Sequence, residues 1–130
     1  MTAARTGLRT NDDKPDGWHI PIYKSRNIVN TSTLWTEAEF QETVIEIARA
    51  LGWRVSHTHD SRRSNPGFPD LTLVRNGVLL FMELKSEKGK PTQPQIAWLI
   101  DLGKLTTSHP DIHVGCFRPS DMPRIRELLT

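Results

Sequence analysis

Cysteine is almost missing from this chain of 130 residues: Cys116 stands alone. No internal disulfide can form, which excludes the framework of a small secreted disulfide domain, and no paired-cysteine zinc site can be built. Flanked by Val114 and Phe117, Cys116 reads as a buried, inert thiol in a reducing compartment. Long apolar runs are missing too. No stretch approaches the length of a membrane span and nothing resembles a secretory signal, so the expectation is a cytoplasmic protein without a membrane partner. Charge of one sign is not in excess either. Lys and Arg number 17 against 15 Asp and Glu, a net charge of +2. A total so near balance does not by itself point to a nucleic acid, and the distribution of the charges has to decide. Internal repeats and low-complexity segments are absent. The length suits one domain with a core of moderate size.

Periodicity divides the chain in two. Residues 1–32 carry breakers (Asn11-Asp12-Asp13, Lys14-Pro15-Asp16-Gly17, Pro21) and read as an extended or partly ordered arm, with Trp18, Ile20, Ile22 and Tyr23 available for docking. Residues 33–130 form the folded unit. Thr36 is a helix N-cap, and Glu39 three places on completes a capping box. Phe40, Val44, Ile47, Ala48 and Leu51 follow at helical spacing, and Gly52 stops the helix. Trp53–Thr58 reads as a short strand and Asp60–Pro66 as a polar loop. Ser86–Thr92 forms another loop. Pro94 fits the first turn of a second helix carrying Ile96, Leu99, Ile100 and Leu102 and ending near Leu105. Ile112–Phe117 is a last strand, and Ser120, Pro123 and Ile125–Leu129 suggest a short C-terminal helix.

The most informative stretch lies between the two loops. Two runs rich in Val, Leu, Thr and Phe flank Asn76-Gly77, the strongest short-range signal for a two-residue hairpin turn, because both central residues need positive φ. Such a turn pairs Arg75 with Val78 and, stepping outward, Asp70 with Glu83 as a non-hydrogen-bonded pair with Cβ atoms roughly 5 Å apart. Lys85, two residues beyond Glu83, projects from the same face. Opposed like charges destabilise a sheet, and burial would drive one carboxyl toward its protonated form. A divalent cation between them removes both penalties, and oxygen ligands with several waters suit Mg²⁺ or Mn²⁺ better than zinc. An exposed hairpin with ordinary surface charges is the bland alternative. Against it, Leu71, Leu73, Leu80, Met82 and Leu84 line one face while Val74, Leu79 and Phe81 line the other, the pattern of a hairpin held between two layers.

Other residues gather around this patch. Glu37 and Gln41, at i and i+4, emerge from one side of the first helix. They form either a solvated polar face or part of a site. His57 and His59 alternate at a strand end. With Asp60 they make a poor zinc pattern and fit better as cleft residues contacting phosphate. Arg62, Arg63, Lys88 and Lys90 bracket the hairpin on two loops. Solvated surface is the usual fate of such clusters, but two basic loops beside a carboxylate hairpin are what a polyanion needs, gripping phosphates without reading bases.

The string G-F-P-D, twelve intervening residues and E-L-K resembles the core of the PD-(D/E)XK nuclease superfamily. More closely, the chain is similar to the VRR-NUC (virus-type replication-repair nuclease) domain of phage and bacterial proteins, in its stand-alone form, and of some eukaryotic repair nucleases. T-E-A-E-F-Q upstream, H-D-S-R-R before the Asp strand and P-T-Q-P-Q-I-A-W-L downstream extend the likeness over roughly Leu34 to Phe117. The resemblance implies an α/β fold with an αβββαβ core, a central mixed sheet flanked by helices. It also implies a metal-dependent phosphodiesterase acting on DNA, with branched or junction DNA among its substrates. The setting would be a bacterial or phage-infected cell. It places a Glu four residues before a Gln at the metal site, a spacing that Glu37 and Gln41 match; Glu39 is the rival, and its capping role favours Glu37. The resemblance also puts Gln95 near the site and has Trp98 pack.

On this reading Asp70 and Glu83 ligate Mg²⁺, for which Mn²⁺ can substitute, joined by the backbone carbonyl of Leu84 and by Glu37 through water. Lys85 orients the attacking water and helps to deprotonate it, and Gln95 completes the catalytic set. Arg62, Arg63, Lys88, Lys90, His57, His59 and Gln41 face the DNA. A twofold homodimer is the common route by which so small a domain reaches both strands. Two rivals remain. A retaining glycosidase also holds two carboxyls about 5 Å apart, but Lys85 and the basic loops oppose it. A catalytically silent nucleic-acid-binding module of the same fold is the other, although nothing is missing from the Asp-Glu-Lys set.

Overall fold

A computed structural model describes residues 35–58 and 65–130. The arm at 1–32 and the loop residues His59, Asp60, Arg62 and Arg63 lie outside the described residues.

The first helix, α1 (Glu37–Ala50), starts where the sequence places it. Thr36 Oγ1 accepts from the Glu39 amide and Glu39 Oε1 accepts from the Thr36 amide, both at 3.0 Å. Glu37 and Glu39 in the first turn complement the positive end of the helix dipole. Phe40, Val44, Ile47 and Ala48 form its buried stripe, and Gly52 follows with φ +91°. Four strands come next: β1 (Arg54–His57), β2 (Leu71–Arg75), β3 (Val78–Leu84) and, after helix α2 (Gln93–Gly103) and a 3-10 turn at Lys104–Thr107, β4 (Ile112–Phe117). A second 3-10 turn at Pro119–Asp121 leads into α3 (Met122–Leu129). The order of elements is the αβββαβ that the family resemblance implies, followed by one further helix.

The strands form one sheet in the order β1-β2-β3-β4, with β1-β2 and β2-β3 antiparallel and β3-β4 parallel. The parallel pair needs a crossover, which α2 supplies. Register follows the turn. Asn76 and Gly77 sit at φ 49° and 82°, and the ladder runs Arg75↔Val78, Leu73↔Leu80, Leu71↔Met82. The next step outward opposes Asp70 to Glu83.

One sheet face carries the core. Leu71, Leu73, Leu80, Met82, Leu84 and Phe117 pack with Phe40, Val44, Ile47 and Ala48 of α1 and with Ile125 and Leu129 of α3. Trp53 Nε1 donates to the Leu129 carbonyl at 2.9 Å, and Arg75, stacked 4.6 Å over the Trp53 ring, donates to the carbonyls of Leu51 and Thr130. These contacts fasten both terminal helices to the hairpin.

The second face differs from the two-layer expectation. Near the turn Val74 is 45% exposed, and Leu79 and Phe81 are only half-buried. Helix α2, expected to seat an apolar stripe, buries none of its residues, and Ile100 is 56% exposed. It packs against β4, and Phe68 stands edge-on to both Trp98 of the helix and Phe81 of β3, with centroids 5.0 and 5.9 Å apart. The helix also stops at Gly103 and tightens into the 3-10 turn rather than running on to Leu105.

Candidate metal-binding and nuclease site

Asp70 enters the fold on a loop that is locked on both sides. Its carbonyl accepts from the Thr58 amide at 2.8 Å. Gly67, at φ +92°, lies so close to the start of α2 that a Cβ there would meet the Pro94 carbonyl carbon at 2.5 Å. Only glycine satisfies both conditions. The neighbouring Phe68 fills the space between β3 and Trp98, so the packing of α2 sets where the Asp70 strand begins.

Across the hairpin, Asp70 Oδ2 accepts from the Leu84 amide at 2.8 Å. Glu83 is 1% exposed, and no donor among the described residues hydrogen-bonds to either of its carboxylate oxygens. Beside it stands Lys85, 8% exposed, whose Nζ lies 3.6 Å from Oε2. A buried carboxylate without a donor carries a desolvation cost of at least a few kcal/mol.

The electrostatics follow from that burial. Desolvation first, then the charge of Asp70, push the Glu83 carboxyl up to about 8, with Lys85 opposing and Glu37 adding to the rise. Asp70 is raised as well, by burial, against the Leu84 amide, the Glu83 hydroxyl, Lys85 and His57. Near neutral pH Glu83 therefore holds a proton and donates it to Asp70. Deprotonated, both of its oxygens are free acceptors facing a second carboxylate.

The remaining sequence candidates divide. Glu37 is half-buried and near enough for its charge to act on Glu83, while Glu39 is committed to the helix cap. Gln41 is half-buried one turn further along α1, and His57, half-buried at the end of β1, acts on Asp70. Lys88 and Lys90 are exposed on the loop after β3.

Gln95 is partly accounted for by another role. Its Oε1 accepts from the Thr92 amide at 2.8 Å in a capping box, so only its amide nitrogen can turn toward the site. The signal was present as Thr92-Gln93-Pro94-Gln95, a T-x-x-Q capping pattern. Cys116, register partner of Glu83 on β4, is half-buried rather than buried, with burial raising its thiol pKa. Arg118, unremarked in the sequence, donates from Nη2 to the Gly89 carbonyl at 2.7 Å.

The donor set fits a hard divalent cation. Two carboxylates at one point, one of them buried with both oxygens unsatisfied, match the small number of protein ligands Mg²⁺ takes when water fills the remaining positions. Among the described residues no group of three or more His, Cys, Asp or Glu converges on a single point, and His59 and Asp60 lie outside them. No helix among them is long and apolar enough to cross a membrane.

A mixed four-stranded sheet with flanking helices and an acidic pair at the end of its central hairpin defines an α/β nuclease-like fold. A solved structure described as a VRR_NUC domain superposes with a TM-score of 0.56 and 25% sequence identity, covering 72% of this chain and 97% of that one. The chain thus carries a VRR-NUC-like domain, as the G-F-P-D and E-L-K strings led us to expect. Neither family models nor curated proteins provide a match.

Proposed function

We propose that the protein is a divalent-cation-dependent DNA endonuclease of the PD-(D/E)XK type, with branched or junction DNA among its substrates. The observation that carries this reading is Glu83, buried beside the carboxylate of Asp70 and without a donor for either oxygen among the described residues. A pair so costly as bare structure is explained by a ligand that takes the place of the proton.

Asp70 and Glu83 would hold Mg²⁺, or Mn²⁺ in its place, with the Leu84 carbonyl and Glu37 through water completing the set. Such an ion would supply Lewis-acid chemistry, acidifying water and neutralising charge on the phosphoryl oxygens. Asp70, fixed by the Leu84 amide, keeps its second oxygen for the ligand. Lys85 Nζ orients the attacking water and helps to remove its proton. Lys88 and Lys90 grip phosphates beside the scissile bond, with Arg62, Arg63, His57, His59 and Gln41 as further contacts. A twofold dimer would present two such sites to a duplex.

Purified protein incubated with single-stranded, duplex, flapped and four-way-junction DNA in Mg²⁺, Mn²⁺ or EDTA tests the reading. Internal cleavage that requires the cation is expected. Cleavage that persists in EDTA, or none on any substrate in either metal, overturns it.

A further inference from the structure

The loop after β3 is not free to choose where its lysines point. Ser86–Gly89 closes as a turn, with the Gly89 amide donating to the Ser86 carbonyl at 3.1 Å. Two groups from the segment after β4 hold that turn. Arg118 Nη2 donates to the Gly89 carbonyl at 2.7 Å, and the Ser120 amide donates to Glu87 Oε1 at 3.0 Å. The clamp is itself braced. Asp121 Oδ2 accepts from the Arg118 amide at 2.8 Å, and the Lys85 amide donates to the Phe117 carbonyl at 3.0 Å, so the two strand ends that carry the turn and the clamp are paired. Lys88 and Lys90 are left exposed on either side of the clamped Gly89.

We infer that Arg118 and Glu87 are positioning residues for DNA binding: they hold the 86–90 turn so that Lys88 and Lys90 meet the phosphate backbone beside Asp70 and Glu83. This rests on the DNA-binding part of the proposed function. Glu87 would otherwise be a liability, a carboxylate directly before the two phosphate-gripping lysines. Its hydrogen bond to Ser120 gives that acid a structural use and draws its charge toward the clamp. An unclamped loop would have to be ordered on binding, at a cost in conformational entropy that reduces affinity.

The test is the salt dependence of affinity for a labelled duplex, measured by anisotropy on the full chain in Ca²⁺ or EDTA so that cleavage does not intervene. Replacing Lys88 and Lys90 together by Ala is expected to lower the slope of log K against log salt by about two. Arg118→Gln should lower it comparably, and adding Arg118→Gln to the double lysine variant should change nothing further. Glu87→Ala removes a negative charge next to a polyanion, which alone would tighten binding, whereas loss of the clamp predicts weaker binding and a shallower slope.

A further fall of about one in the triple variant would mean that Arg118 contacts a phosphate itself, and tighter binding by Glu87→Ala would mean that no clamp is needed. Either overturns the inference. So does a double lysine variant with an unchanged slope, whether or not the protein cleaves DNA. Coupled effects on binding in a protein that never cleaves would sustain the clamp and overturn the nuclease reading alone.

Discussion

Replacing Glu83 by Gln in the cation-free protein should stabilise it, and by an amount that grows with pH. The native carboxyl is pushed up to about 8 from 4.5 in the unfolded chain. Between those values the native state holds a proton that the unfolded state has lost, so stability falls as pH rises through the window. At 1.36 kcal/mol per pH unit the ceiling is on the order of 5 kcal/mol, which local relaxation and water entry at the ionised pair reduce to a few. The raised carboxyl of Asp70 adds a fall of the same sign. Gln keeps the shape, can donate to Asp70 as the protonated acid does, and cannot ionise. Urea denaturation in EDTA between pH 5.5 and 9 reads the effect. Wild type should lose stability up to about pH 8 and then level off, while Glu83→Gln, which keeps only the fall due to Asp70, should lose less and exceed wild type by about 1–2 kcal/mol at pH 8.5. Equal pH dependence in the two proteins would refute the argument that Glu83 is a buried, proton-holding acid.

Asp70→Ala should abolish cleavage while DNA affinity stays within about threefold, since the phosphate grip lies on other residues; more than a few per cent of wild-type turnover would remove Asp70 from the ligand set. Lys85→Ala should slow single-turnover cleavage at saturating DNA with little change in affinity, and a pure affinity loss would contradict its role at the reacting centre. Gly67→Ala should cost about 2–4 kcal/mol by denaturant titration, because the new Cβ collides with the Pro94 backbone at an unfavourable positive φ; a cost under about 0.5 kcal/mol would mean that the loop is not packed as described.

The hairpin was legible in the sequence because its causes are local. Asn76-Gly77 sets the turn, the turn sets the register, and the register places Asp70 opposite Glu83 with Lys85 beside them. The start of α1 was legible for the same reason, a capping box written within four residues. What failed depended on contacts between distant elements. Apolar spacing in α2 indicated a buried stripe, yet spacing does not say how much of the fold lies beneath a helix, and α2 leaves Ile96 and Ile100 exposed. The coverage of Val74 failed for the same reason. The depth of Glu83 emerges only when the core packs, and the hold of Arg118 on Gly89 joins residues far apart in the chain that no periodicity connects.

Mn²⁺ binding at pH 7, followed by calorimetry in two buffers of different ionisation enthalpy, tests the central claim most directly, because a cation between Asp70 and Glu83 must displace the proton that Glu83 holds. Wild type should bind Mn²⁺ at that pair with release of close to one proton, and release should fade above about pH 8, where Glu83 is already ionised. Asp70→Asn and Glu83→Gln should each lose the binding event. No uptake at millimolar Mn²⁺, or uptake that survives both substitutions, would contradict the account.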